Sequence, residues 1–251
     1  IVAMMRLLRD QQPVPAPAVQ FSGGEPTMRD DLFEIVKKAK EMGFSQIQIA
    51  TNGIKIAQNA QYAKDLTDAG VCTLYLHFDG VTQQTNPFIK ISKKVIEHCR
   101  GANLGVVLVP TIINGRNDHE VGDITRFAAD NVDVVRGVNY QPVAFTGAAS
   151  ADNVAKERVT IPDLAERIEE QTGGVIKKDY FYPVPCVLPF SDLVETYTGE
   201  PQVRFTTHQR CGVATYGFVT EDGIVPINEM IDVDGFFDAI KQMGENREYA
   251  K

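Results

Sequence analysis

The residues of this chain whose types and spacing could do chemistry stand at the ends of short apolar runs. The first set is Phe21-Ser22-Gly23-Gly24-Glu25-Pro26-Thr27. Two adjacent glycines let the main chain turn and approach a ligand closely, while Glu25 adds a carboxylate and Pro26 stiffens the exit. Such a turn suits a small, amine-bearing ligand, and it reads equally as a plain strand-to-helix turn. Thr51-Asn52-Gly53, His77-Phe78-Asp79-Gly80, Pro110-Thr111 and Asn139-Tyr140-Gln141-Pro142 close four further apolar runs. Asn52-Gly53 and Asp79-Gly80 also satisfy the requirements of ordinary turns. Far downstream, Cys186 and Cys211 lie in polar, turn-rich stretches, with His208 preceding Cys211 at H-x2-C spacing. That setting suits a metal better than a core. Cys72, beside a strand, and Cys99, at a helix end, read as buried thiols, and His98 as a helix-end residue favoured by the dipole.

These residues need elements to position them. Pro13, Pro15 and Pro17 mark an extended linker, and the first strand runs to Phe21. Apolar positions at Leu32, Ile35, Val36, Ala39 and Met42 predict a helix capped by Asp30 or Asp31 and closed by Gly43. The unit then repeats: strand 46–50, a helix through Ala57 to Gly70, strand 73–78, a helix from Phe88 to Cys99 ending near Gly101, strand 105–109, a helix capped by Asp118, and strand 134–140. Helix-closing glycines recur at roughly thirty residues. Alternating strands and helices imply a parallel sheet with ligand-binding loops after the strands. The expected fold class is α/β, a partial (β/α)6 barrel of the TIM type lacking its first strand. Residues 1–145 form the barrel, and 146–251 a C-terminal α+β extension with a hairpin turning at Glu221-Asp222-Gly223 and a last helix from about Asp234.

The 251 residues are 43% apolar and 23% charged, enough to bury a full core. A net charge of −8 and a pI near 5.1 disfavour nucleic acid, since phosphate binding needs clustered Lys and Arg. No apolar run reaches the length of a membrane span. Four scattered cysteines make no secreted disulfide framework, so a reducing cytoplasm is expected.

Gly23-Gly24-Glu25-Pro26-Thr27, taken with the strand-end motifs, resembles the S-adenosylmethionine-binding turn of the radical S-adenosylmethionine (radical SAM) superfamily. The resemblance covers roughly residues 1–145. It implies that Gly23, Gly24, Glu25 and Pro26 hold the methionine amino group. Polar groups at Thr51, Asn52, Asp79, Thr111, Asn139 and Gln141 would contact the ribose, carboxylate and adenine. Val106 to Val109 reads as barrel core rather than an adenine slot. The family also uses a 4Fe-4S cluster held by a C-x3-C-x2-C loop, and none of the four cysteines has that spacing. The opening Ile1-Val2-Ala3-Met4-Met5-Arg6-Leu7-Leu8 reads as the tail of the helix that follows such a loop. The loop is therefore expected upstream, and residues 1–251 alone are expected to be inactive.

Three downstream stretches resemble an archaeal branch of the family that includes tetraether lipid synthases and pterin-methylating enzymes. They are Tyr182-Pro183-Val184-Pro185-Cys186, Thr207-His208-Gln209-Arg210-Cys211-Gly212 and Asn114-Gly115-Arg116-Asn117-Asp118-His119. The resemblance implies an auxiliary iron-sulfur centre to which Cys186 and Cys211 contribute, with other ligands elsewhere, because two thiols cannot hold a cluster. The expected function is reductive cleavage of S-adenosylmethionine to a 5′-deoxyadenosyl radical that abstracts hydrogen from a lipid or pterin, in a transferase or oxidoreductase. One alternative is a cluster-free partial-barrel lyase, which would need a lysine or metal-binding carboxylates where the strand ends offer only Asp79. The other is a non-catalytic metal-binding module centred on Cys186 and Cys211. A missing first strand would leave a sheet edge open to a homodimer.

Overall fold

The computed structural model of the protein describes residues 1–147, 150–204, 207–208 and 211–246. Gln209 and Arg210, part of the motif before Cys211, lie outside the described residues. The chain forms two compact units, Ile1–Gln11 with Pro15–Thr160, and Gln12–Val14 with Ile161–Lys251. This division falls at 160/161. The cause is a segment that returns to the first unit: Asn114 donates from its backbone to Glu157 O at 3.0 Å and from Nδ2 to Lys156 O at 2.7 Å, and Arg116 pairs with Glu157.

The first unit opens with α1 (Val2–Arg9) and then alternates: β1 (Ala18–Phe21), α2 (Leu32–Glu41), β2 (Gln46–Thr51), α3 (Ile54–Gln58), α4 (Ala60–Ala69), β3 (Thr73–His77), α5 (Ile89–Ala102), β4 (Gly105–Val109), β5 (Thr111–Ile112), α6 (Val121–Asp130), β6 (Val135–Val138), β7 (Gln141–Pro142) and α7 (Ala151–Glu157). Five strands form one parallel sheet in the order β1-β2-β3-β4-β6. The expected parallel α/β arrangement is present, and among the described residues the sheet stays open rather than closing into a barrel. Because the order runs one way and βα crossovers are right-handed, the helices gather on one face. Ile47, Ile49, Leu74, Leu76, Val106 and Leu108, fully or almost fully buried, line that face. Burying each contributes about 1.5–3 kcal/mol. The helix between β2 and β3, expected as one, is two. Asn59 breaks it in an extended conformation and caps α4 by accepting from Gln61 N. The α5 helix runs to Ala102, and it is Asn103 rather than Gly101 that closes it, in the left-handed conformation with φ of 52°. Asp31, not Asp30, stands at the α2 N-cap, and its carboxylate goes to Arg29 instead of the helix amides. Asp118 likewise caps the preceding turn, accepting from Gly115 N, before a 3-10 turn leads into α6.

The second unit contains α8 (Ile161–Gln171), β8 (Tyr182–Pro183), α9 (Leu188–Thr198), β9 (Val213–Ala214), β10 (Gly217–Thr220), β11 (Gly223–Pro226) and α10 (Val233–Glu245). β10 and β11 pair antiparallel, as the Glu221-Asp222-Gly223 turn predicts. α9 and α10 approach closely at Gly244, and Thr196 Oγ1 donates to Gly244 O at 2.8 Å. Phe190, Phe236 and Phe237 pack together at this contact. No helix among the described residues is long and apolar enough to cross a membrane.

Candidate functional site

The β1 strand ends at Phe21, and the chain turns through Gly23 (φ 97°) and Gly24 (φ 51°). Backbone of the first kind excludes side chains, and a Cβ at either position would meet nothing within 4 Å. The turn thus presents bare main chain to open space. Among the described residues no backbone hydrogen bond uses the Gly23 or Gly24 amide.

Glu25 follows in an extended conformation and caps a 3-10 turn over Pro26–Met28. Its Oε1 accepts from Thr27 N at 3.1 Å, Thr27 Oγ1 at 2.6 Å and Thr51 Oγ1 at 2.7 Å, and its Oε2 from Asn52 N at 2.8 Å. Burial pushes the carboxyl upward, but the hydrogen bonds from Asn52, Thr27 and Thr51 outweigh it and leave the pKa below the ordinary value. An anionic Glu25 therefore fastens the end of β1 to the end of β2. Thr51 is buried and Gly53 N donates to its Oγ1, while Asn52 Oδ1 accepts from Ile54 N and opens α3. From the far side, Lys55 Nζ at 2.8 Å and Tyr62 OH at 3.3 Å both donate to Thr27 O, with the ammonium over the Tyr62 ring.

A second cluster occupies the ends of β3 and β4. Asp79 Oδ1 accepts from Thr111 N at 2.9 Å, and Oδ2 lies 2.9 Å from His77 Nε2. The hydrogen bond to Asp79 raises the His77 pKa against the effect of burial. Asn117, buried, donates to both Asp79 O and Thr111 O and accepts from Ile113 N. Thr111 and Gln141 are paired in the short β5–β7 ladder, and Asn139 and Gln141 donate backbone amides to Leu108 O and Pro110 O. Behind this cluster Glu120, only 3% exposed, accepts from Val81 N, Thr82 N, Thr82 Oγ1 and Thr85 Oγ1. It fixes the loop after β3, and the space beside Gly80 is filled by Thr85 and Glu120.

Gly23, Gly24, Glu25, Thr51 and Asn52 thus meet at one pair of strand ends, and Asp79 and Thr111 at the next, with Asn139 and Gln141 beyond them. All lie at the C-terminal edge of one sheet. Lys55, Tyr62, His77, Asn117 and Glu120 were not singled out by sequence reasoning. His77 and Asn117 fall inside quoted motifs, whereas the partners of Glu120 lie 35 to 39 positions away, beyond any spacing rule.

Cys186, half-buried, sits in a 3-10 turn, and burial raises its thiol pKa. Cys211 is exposed, its amide donating to His208 O at 2.8 Å. Pairing of Pro183 with Val213, and Val184 N to Gly212 O at 3.2 Å, brings the two cysteine-bearing segments side by side. Among the described residues no three His, Cys, Asp or Glu side chains form a group that could hold a metal. The bare glycine turn fits S-adenosylmethionine, whereas this chain's described residues do not fit a 4Fe-4S cluster. Cys99 is buried and its thiol pushed up to about 12, but Cys72, expected to be buried, is exposed at the start of β3. His98 does not serve the helix end, since Nδ1 bonds Ile56 O at 2.8 Å and ties α5 to α3.

Sequence comparison agrees with this geometry. The chain is 49% identical over 250 residues to the 7,8-dihydro-6-hydroxymethylpterin dimethyltransferase of Methanocaldococcus jannaschii, covering 96% of this chain and 49% of that one. It is 33% identical over 180 residues to a probable GTP 3′,8-cyclase of Methanothermobacter marburgensis, covering 65% of this chain and 56% of the relative. A GTP 3′,8-cyclase of Clostridium acetobutylicum is 27% identical over 207 residues, 73% of this chain and 63% of its own. The chain spans about half the length of the pterin relative. The sequence model of the Radical SAM superfamily matches residues 1–128, which contain the glycine turn and both clusters except Asn139 and Gln141. The open parallel sheet with its bare turn is the fold of that match, and the chain belongs to the radical SAM superfamily, whose cofactors are S-adenosylmethionine and a 4Fe-4S cluster.

Proposed function

We propose that this chain is the S-adenosylmethionine-binding core of a radical SAM enzyme that methylates a pterin. The observation that carries the cofactor site is the bare Gly23-Gly24 turn braced by the four hydrogen bonds of Glu25. The substrate class is supported by identity to a pterin dimethyltransferase along almost the whole chain. When bound beside a reduced cluster, S-adenosylmethionine supplies the 5′-deoxyadenosyl radical. The chain's own residues then have separate tasks. The Gly23 and Gly24 main chain, leading into Pro26, receives the amino group. Glu25 acts through Thr51 and Asn52 by holding two strand ends in register, instead of meeting the ammonium alone. Asp79 holds Thr111, and Asn139 and Gln141 contribute polar groups beyond it.

Against the cluster-free lyase, Lys55, which follows β2, gives its ammonium to the Thr27 carbonyl. Cys186 and Cys211 are proposed as two ligands of an auxiliary iron centre in the second unit, completed by groups outside the described residues. Iron analysis of the Cys186→Ser, Cys211→Ser pair tests this, and unchanged iron content would contradict it.

The test of the function is to reconstitute the complete gene product anaerobically with iron and sulfide. It is then supplied with S-adenosylmethionine, a reductant and 7,8-dihydro-6-hydroxymethylpterin. Methylated pterin detected by mass spectrometry is the expected result. Formation of 5′-deoxyadenosine without any change in the pterin would contradict the substrate.

A further inference from the structure

One face of the five-stranded sheet is committed to the helices, and the other carries a different set of side chains. Strand residues alternate between faces. Leu76 packs near Gly53 and Val95, and Phe78 stacks on Phe127 at 5.0 Å, so Leu74, Leu76 and Phe78 face the helices. Thr73, Tyr75 and His77 therefore share the opposite face. The register places Gln20 beside Gln48, Gln48 beside Thr73, and Ala50 beside Tyr75, which adds Gln20 and Gln48 to that face. From the level of Gln48 to His77 the row climbs about 13 Å toward the C-terminal edge, at roughly 3.3 Å per residue.

The chemistry of this row is unusual for a sheet face that is partly withdrawn from solvent. Gln48 and Tyr75 are half-buried, yet neither the amide nor the hydroxyl has a hydrogen-bond partner among the described residues. The polar atoms of both stay open to solvent, so a ligand laid along this face can take up their donors and acceptors. His77 differs, because its Nε2 is held by Asp79, whose other oxygen is held by Thr111 N. That bond fixes the ring and leaves Nδ1 for a ligand. The Gln48 amide both donates and accepts, as does the Tyr75 hydroxyl.

We propose that Gln48, Tyr75 and His77, with Asp79 fixing the imidazole, bind the polar edge of the substrate, a planar heterocycle bearing lactam carbonyl and ring amino groups. The proposal rests on the pterin reading above and adds the residues that recognise it. Paired amide-like donors and acceptors match such an edge. A site of this kind rejects analogues that lack the matching groups, since its own polar atoms would be left unpaired. Asp79 is a positioning residue here, and His77 makes the contact.

The test uses the complete gene product, reconstituted anaerobically, with 7,8-dihydro-6-hydroxymethylpterin and S-adenosylmethionine titrated separately by calorimetry. The variants are Gln48→Leu, His77→Phe and Tyr75→Phe, the last removing one oxygen and leaving the packing intact. The expected result is a loss of pterin affinity of about tenfold for the first two and about threefold for the third. S-adenosylmethionine affinity and melting temperature should stay at wild-type values in Tyr75→Phe. Wild-type pterin affinity in all three variants would overturn this assignment while leaving the pterin reading in place. Loss of S-adenosylmethionine affinity in place of pterin affinity would overturn it too, by giving the row to the cofactor. A wild-type protein that binds no pterin would overturn both.

Discussion

Glu25 reads in the sequence as a carboxylate facing a ligand, and in the folded chain its oxygens are taken by Thr27, Thr51 and Asn52. Glu25→Ala should therefore lower both S-adenosylmethionine affinity and fold stability, the latter by about 1.5–3 kcal/mol as for hydrogen bonds to a charged group. Asp30, exposed and not at the N-cap, should change both by less than about 0.5 kcal/mol when replaced by Ala. Calorimetric titration beside urea melts of the two variants checks this, and equal losses at the two positions would contradict it. Glu120 makes a similar argument away from the cofactor turn. Burial raises its pKa, hydrogen bonds from Thr82, Thr85 and Val81 lower it further, and the net shift is downward from 4.5. A carboxylate with a depressed folded pKa contributes stability that is full above its unfolded value and is lost as pH falls through the folded one. The stability gap between wild type and Glu120→Gln should thus be largest at neutral pH and shrink below about pH 4.5. Urea melts across that range read it directly; a gap independent of pH would show that the charge does not matter. Glu25 was visible beforehand because it adjoins two glycines. Glu120 was not, because its partners come together only when α6 packs beside the loop after β3.

Strands and helices were legible because their periods differ, and each parallel strand stands within a few residues of its expected place. Element ends were less so. Asn103 in place of Gly101 and the break at Asn59 both depend on backbone conformations that apolar spacing does not encode. The turn after β2 shows what an element end can require. Gly53 has φ of 76°, and a Cβ there would lie 2.7 Å from Val95 Cγ2 and 2.9 Å from Leu76 Cδ1. Gly53→Ala combines backbone strain with overpacking and should cost about 2–4 kcal/mol. Gly23→Ala, at φ 97° but with open space around it, should carry the strain alone, about 1–2 kcal/mol. Thermal melts of the pair should rank them in that order, and the reverse ranking would contradict the packing of Leu76 against α5.

At the scale of the molecule, the parallel sheet and its open edge were both legible, the first from alternating units and the second from counting five visible strands where a (β/α)6 barrel needs six. β1 is an edge strand, and Ile1 at the N-cap of α1 and Met4 and Leu7 on it are 50%, 68% and 66% exposed. Residues 1–251 on their own are expected to self-associate with rising concentration; light scattering that finds only monomer would count against it. The separation of the cysteines from any cluster spacing was fully legible, because spacing is a property of sequence alone. The central claim is that Gly23, Gly24 and Glu25 hold S-adenosylmethionine for a cluster whose thiolates this chain does not supply. Its most direct test is 5′-deoxyadenosine released under anaerobic reduction, measured by chromatography. The complete gene product should form it, residues 1–251 alone should form none, and Gly23→Val in the complete protein should cut the rate by at least about tenfold, equivalent to about 1.4 kcal/mol. Release by residues 1–251 alone, or an unchanged rate in Gly23→Val, would contradict the account.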